Sequence, residues 1–270
     1  MNVISLQSRV KTGYVGNAIA VPTLNACGVH AVAVDTVIYA HHPGHGPVTP
    51  ERITPAELSV RLETALSDSH PPACLLSGYL ASVDQGHAAL QQLHRAQHDG
   101  HLHAYYLDPV FGDDAEGTYV DPALVAFFRD EALPACNVLM PNRYELAQLS
   151  GMPVQSIGDA EIAARALIAK GPETVVVSSV PGPDGRIANV LVSQGTACAV
   201  SVDSLKLCAK GTGDMLSAAF CGLHARGIAP DDALGIAVAL VDATAKDAAL
   251  SNAIELNPLK ILNNFDYPVK

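Results

Sequence analysis

With 270 residues, 49% hydrophobic and 16% charged, the chain is long enough to bury a sizeable core and too apolar to be disordered. A net charge of -11 excludes a basic stripe for nucleic acid or an anionic membrane surface, so any phosphate must be held locally. Six scattered cysteines (Cys27, Cys74, Cys136, Cys198, Cys208, Cys221) form no Cys-x-x-Cys pair and read as reduced core residues of a cytoplasmic protein.

In chain order, Val3–Leu6 predicts a strand, entered at once from Met1 without the basic start of a secretion signal. No stretch reaches the roughly 20 apolar residues of a membrane span. Gly16–Cys27 predicts a helix closed by Gly28, and His30–Val37 a strand. Thr54–Ser67 predicts an amphipathic helix with Leu58, Leu62 and Leu66 on one face. Ala73–Ser77 is a strand, Val83–His98 a helix stopped by Gly100, and His103–Asp108 a strand. Asn137–Met140 and Asn142–Leu149 repeat the strand-to-helix step. Asp159–Ala169, stopped by Gly171, precedes the strand Thr174–Ser178. Ile187–Ser193 and Ala197–Val202 flank Gln194-Gly195 as a hairpin. Helices over Asp214–Arg226 and Asp231–Leu250 close the chain.

Strands alternating with helices imply an α/β fold with a mainly parallel central sheet and helices on both faces. Without a linker or an internal repeat, one domain over 1–270 is expected. Ligands of such sheets sit beyond the carboxyl ends of the strands. Ser8, His41–His45, Ser77-Gly78-Tyr79, Asp108, Asn142 and Ser178 all lie just past predicted strand ends, converging on one edge.

The richest stretch is Lys210-Gly211-Thr212-Gly213-Asp214 at the mouth of a helix. A helix start offers unpaired N–H groups and a positive dipole end, and glycines let an anion approach them. A carboxylate does not attract phosphate, so Asp214 reads as a base for an acceptor hydroxyl, against the plainer reading of a dipole complement. Asp108, before Pro109, is either a turn former or a carboxylate near a metal–phosphate cluster. Asn142 and Glu145 have capping-box spacing, the reading that wins for Glu145 on spacing alone. His41-His42-Pro43-Gly44-His45 lacks zinc-site spacing and reads as a loop over a substrate. Neither a P-loop nor a dinucleotide fingerprint is present.

Together these residues resemble the ribokinase superfamily and, within it, the pyridoxal (vitamin B6) kinases. The resemblance runs through Leu6-Gln7-Ser8, Val15-Gly16-Asn17, Ser77-Gly78-Tyr79-Leu80, Asp108–Asp113 with Gly117–Val120, Pro141–Leu146 and the glycine loop. It implies a ribokinase-like kinase that phosphorylates the 5′-hydroxyl of pyridoxal from ATP with Mg2+, a monovalent cation such as K+ being a further implied ion. By that resemblance Asp214 is the general base, and Gly211, Thr212 and Gly213 form the anion hole. Ser8 meets the pyridine ring, Tyr79 lines the substrate side, and His42 and His45 lie in the covering loop. Asp108, Tyr119 and Glu145 surround metal and phosphates, while Met140, Asn142, Ser178, Ser179 and Thr212 lie on the nucleotide side.

Three segments depart from the family pattern. Met140 replaces a threonine that would contact nucleotide, the 41–48 loop has its own histidine pattern, and Leu205–Ala209 differs. A hydroxymethylpyrimidine kinase is the nearest alternative, and a non-catalytic sensor of B6 or nucleotide the alternative of another class. The resemblance also implies a homodimer. His30–Val37 supplies an edge to cover, although Asp35 and His30 would blunt it.

Overall fold

The computed structural model describes residues 1–68, 71–205, 210–258 and 260. Chain order begins with β1 (Asn2–Val10), α1 (Asn17–Ala26), β2 (His30–Tyr39), β3 (Glu51–Arg52), α2 (Pro55–Ser67), β4 (Ala73–Ser77) and α3 (Val83–His98). Then come β5 (Leu102–Leu107), β6 (Gly112–Asp113), β7 (Gly117–Thr118), α4 (Pro122–Phe127), α5 (Leu133–Ala135) and β8 (Val138–Leu139). α6 (Arg143–Ser150), α7 (Ile157–Ile168), β9 (Thr174–Pro181), β10 (Ile187–Ser193) and β11 (Ala197–Val202) follow. α8 (Thr212–Ala225) and α9 (Pro230–Leu250) complete the order.

Within the single stretch 1–270, packing groups the described residues into two units. One is Met1–His103 with the described part of Leu205–Lys270, and the other is Ala104–Ser204. In the first, β1 lies between β2 and β4 and is parallel to both, while β3 adds antiparallel outside β2. Val3, Ile4 and Leu6 are fully buried, as expected for a parallel strand covered on both faces. α1 packs on α8, α8 on α9, and α2 on α3. In the second unit β5, β8 and β9 run parallel, and β10 and β11 continue antiparallel. α7 packs against β9 and β10.

Local signals start most helices. The Thr54 hydroxyl accepts from Glu57 N–H at 3.2 Å, Pro55 opens α2, and Leu58, Leu62 and Leu66 face the core. Ser82 caps α3 and Ser156 caps α7 in the same way. Between α4 and α5 the residues Phe128–Ala132 form a π turn. Pro134 follows it, with no N–H to give and a ring that crowds the preceding turn, which favours a wider turn there.

Several boundaries differ from the sequence expectation. β1 runs on to Val10, so Ser8 lies within the strand, at a shift of register between Gln7 and Arg9. Such an irregularity re-aims a side chain without ending the strand. β9 likewise runs on to Pro181, taking in Ser178 and Ser179. Cys27, Cys74, Cys136 and Cys221 are buried free thiols, and Cys198 is half-buried. Burial pushes the Cys27 thiol up to about 12, against the pull of Arg226, which makes it unreactive. Cys208, with residues 206–209 of the atypical segment, lies outside the described residues. No helix among the described residues is long and apolar enough to cross a membrane.

Candidate active site

The first unit holds the glycine loop. Gly211 caps α8 in the left-handed region, with φ 94°. A Cβ there would strike the carbonyl oxygen of Tyr14, so this glycine is required by the fold itself. Gly213 is different: a Cβ on it would meet nothing within 4 Å among the described residues. The first intrahelical bond runs from Met215 N–H to Gly211 C=O at 3.0 Å. The N–H groups at the head of α8 therefore point out without helical partners.

Asp214 stands in that first turn, half-buried, and Gly16 N–H donates to its Oδ2 at 2.8 Å. Burial raises the carboxyl above its ordinary range, and the Gly16 N–H partly opposes the rise. Gly16 follows a turn closed by an antiparallel bridge to Arg9. Its neighbour Asn17 is fully buried and donates through Nδ2 to Gln7 C=O, Val34 C=O and Asp35 Oδ1, at 3.4, 3.3 and 2.8 Å. Arg9 Nε grips both oxygens of Asp35 at 2.9 and 2.8 Å. Ser8 and Asp214 are thus brought to either side of Gly16.

The histidine loop forms a single 3-10 turn, Pro43–His45. His42 Nδ1 accepts from Gly44 N–H at 3.0 Å, capping its own turn, and His45 Nδ1 lies 3.5 Å from Glu255 Oε1. Glu255 also accepts from Tyr14 N–H at 2.5 Å, tying the segment after α9 to the turn before Gly16. Tyr79 is half-buried, and its phenol is pushed up to about 12 by burial and by hydrogen-bonded Tyr39. Its carbonyl accepts from Thr36 Oγ1 at 2.8 Å. Tyr39, Glu255 and the Asn17–Asp35–Arg9 cluster escape a sequence reading. Only the Val15-Gly16-Asn17 run hinted at the last of these.

In the second unit, Asn142 and Glu145 form the expected capping box at α6. Glu145 is buried, and its Oε1 also accepts from Phe111 N–H at 3.0 Å and Gly112 N–H at 3.4 Å. Asn142 Nδ2 returns a bond to Gly112 C=O at 2.8 Å. Burial and then the neighbouring Asp108 push the Glu145 carboxyl well above its usual range, while the three backbone donors oppose this. Two buried carboxylates therefore lie together, a hard-oxygen donor set that suits a divalent cation.

Asn142 bridges in parallel to Ser178, and Ser178 N–H donates to Pro141 C=O at 3.0 Å. Ser179 is exposed at φ 61°, an uncommon conformation for a non-glycine residue. Met140 is buried and its N–H donates to Leu107 C=O at 2.8 Å, so it serves the core of β8's end. Tyr119 is 44% exposed and its N–H donates to Phe111 C=O at 3.1 Å, so the hairpin backbone is its described anchor.

Residues 15–258 match the family described as phosphomethylpyrimidine kinase. A pyridoxal kinase of Rubrobacter xylanophilus is 32% identical over 262 residues, covering 95% of this chain and 90% of that relative. A pyridoxine/pyridoxal/pyridoxamine kinase of Bordetella bronchiseptica is 33% identical, covering 82% of this chain and 80% of its own. Leishmania donovani pyridoxal kinase, solved with ADP and pyridoxamine, superposes with a TM-score of 0.88 at 25% identity, over 100% of this chain and 97% of that one.

The raised Asp214 carboxyl carries a stability signature. Its folded form holds a proton at pH values where the unfolded form has lost it. Its contribution is therefore complete below the ordinary carboxylate range, about pH 4, and is lost as pH rises through the folded value. Asp214→Asn should flatten that part of the stability profile, read by urea unfolding across a pH series. An unchanged slope would refute the raised value.

Proposed function

The chain belongs to the phosphomethylpyrimidine kinase family, and we propose that it transfers the γ-phosphoryl group of ATP to the 5′-hydroxyl of pyridoxal, and of pyridoxine and pyridoxamine. One observation carries the reading. A carboxylate held by a backbone N–H stands in the first turn of a helix, beside a glycine whose missing side chain faces open space. Asp214 takes the proton of the acceptor hydroxyl as it attacks phosphorus. The N–H groups at the head of α8 stabilise the charge spreading over the phosphoryl oxygens. Ser8 and Tyr79 hold the pyridine ring, and the loop with His42 and His45 covers it. By resemblance, Asn142, Ser178 and Ser179 would serve the nucleotide.

Mg2+ fits the Asp108 and Glu145 carboxylates, whose crowding a cation would relieve. Three backbone donors already occupy much of Glu145, so its contact would run through water. The ion would supply charge neutralisation for the phosphates.

Purified protein with MgATP and pyridoxal should yield the 5′-phosphate, followed by its absorbance. No product from any of the three vitamers would overturn the assignment. The alternative acceptor is hydroxymethylpyrimidine, also a primary alcohol on a flat heteroaromatic ring, and the matching family is described by a related substituted pyrimidine. A competition assay between the two alcohols decides, and a higher kcat/KM for the vitamer is expected.

Asp214→Asn should lower kcat by roughly 10²–10⁴-fold while ATP affinity changes little. Gly213→Val meets no atom of the described residues at its Cβ, so it should leave the unfolding temperature nearly unchanged. It should instead weaken nucleotide binding and turnover together, read by calorimetry and initial rates. Full activity in either variant would remove that residue from the mechanism.

A homodimer completes the reading. Only Val37 and Ile38 of β2 pair with β3, which leaves the outer edge of His30–Thr36 without a described strand partner. A cleft of about 540 Å³ runs between that edge and α2, lined by Val32, Val34, Val60 and Thr64. An uncovered edge of this kind favours pairing with a second copy. Light scattering at micromolar concentration should give twice 28.1 kDa, and a mass of one chain would refute the dimer.

A further inference from the structure

We infer that the backbone N–H of Gly16 is a positioning group for Asp214, fixing one carboxylate oxygen so that the other serves the acceptor hydroxyl. The inference deepens the kinase reading and rests on it. Gly16 N–H donates to Asp214 Oδ2 at 2.8 Å across 198 residues of sequence. The direction of that N–H is fixed from several sides. Gly16 has φ 56° and ψ -135°, a combination that only glycine adopts without strain. Its bridge to Arg9 holds the incoming chain, and the three bonds of buried Asn17 hold the outgoing one. Arg9 and Asp35 lock that frame through a paired contact.

The same glycine makes room on its other side. A Cβ at position 16 would strike the carbonyl oxygen of Ser8 and lie 2.6 Å from Ser8 Oγ. One residue thus offers an N–H to the proposed base and clearance to the proposed ring contact. A donor to the charged form also favours the ionised carboxylate, opposing the burial that favours the acid. Positioning and ionisation state both depend on one hydrogen atom.

Gly16→Ala would test this crudely, because it disturbs Ser8 and the turn at once. Replacement of Gly16 by glycolic acid exchanges the N–H for an ester oxygen and adds no side chain, its one other effect being a weaker Val15 carbonyl as acceptor for Ala18 N–H. The native Cys27 permits it: a synthetic segment of residues 1–26 carrying the ester is ligated to a recombinant chain beginning at Cys27. A reference protein is assembled the same way with glycine at position 16. For the ester protein, kcat with pyridoxal and MgATP should fall roughly ten- to a hundredfold, the worth of a hydrogen bond to a charged group. The acid limb of kcat/KM should move to higher pH, with the KM for pyridoxal nearly unchanged. The Asp214 carboxyl, followed by 13C NMR and assigned with Asp214→Asn, should titrate higher than in the reference.

Equal titration of Asp214 in the two proteins would overturn the inference. So would a fall in kcat with an unmoved acid limb, the mark of general structural damage. A reference protein that phosphorylates no vitamer would sink the kinase reading alone, since the NMR titration still decides whether Gly16 holds Asp214.

Discussion

The first unit depends on the close approach of two backbone segments far apart in sequence, Tyr14–Gly16 and Gly211–Asp214. The Tyr14 carbonyl occupies the place of a Gly211 side chain, and Gly16 N–H reaches Asp214. Contacts this close need glycine on both sides and little relative motion of the helices that carry them. α1 and α8 supply the second condition. At their far end, a Cβ on Gly222 would lie 2.9 Å from the Cβ of Cys27, and Arg226 donates to the Cys27 carbonyl at 2.9 Å. Interiors packed to this density transmit displacement rather than absorb it. A helix pair locked at one end therefore sets the alignment of the backbone at the other.

The second unit balances charge differently. A buried carboxylate loses several kcal/mol of hydration, and each backbone hydrogen bond to a charged group returns about 1.5–3 kcal/mol. Three such donors offset part of the cost for Glu145. They do not offset burial and the additional repulsion from Asp108 together, so the Glu145 carboxyl remains raised despite them, burial being the larger cause. The capping box thus does two things with one side chain. It starts α6, and it presents a residual negative potential that a cation can relieve. The cap expected from spacing and the charge cluster expected from resemblance are the same residue.

Legibility in the sequence followed the range of each interaction. Ala73–Ser77, Val83–His98 and the hairpin strands Ile187–Ser193 and Ala197–Val202 match their expected bounds to the residue. Their signals are local: an apolar run, a serine cap with a glycine stop, a polar turn. β1 was cut short because its apolar run ends at Leu6, while its pairing to β2 resumes beyond Gln7 through an irregular step. The stretch 109–136 gave no expected helix or strand. It holds two-residue strands β6 and β7, too short for a period-two pattern, and a helix reset by a π turn before Pro134. Glu255 and Tyr39 matter only through contacts that span the fold, with Tyr14, His45 and Tyr79.

The glycine loop shows how much a motif conceals. Read as letters, Gly211, Gly213 and Asp214 carry one signal of anion binding. In space they answer to three constraints. Gly211 satisfies the backbone, through a left-handed turn pressed against the Tyr14 carbonyl. Gly213 presses on none of the described residues at its Cβ position and keeps a volume open there. Asp214 answers to a donor in another segment, so its geometry is decided at Gly16. A motif match alone therefore cannot distinguish a working loop from one whose distant donor has been lost. The decisive residue lies outside the motif, in a turn whose only visible mark in the sequence is a glycine before an asparagine.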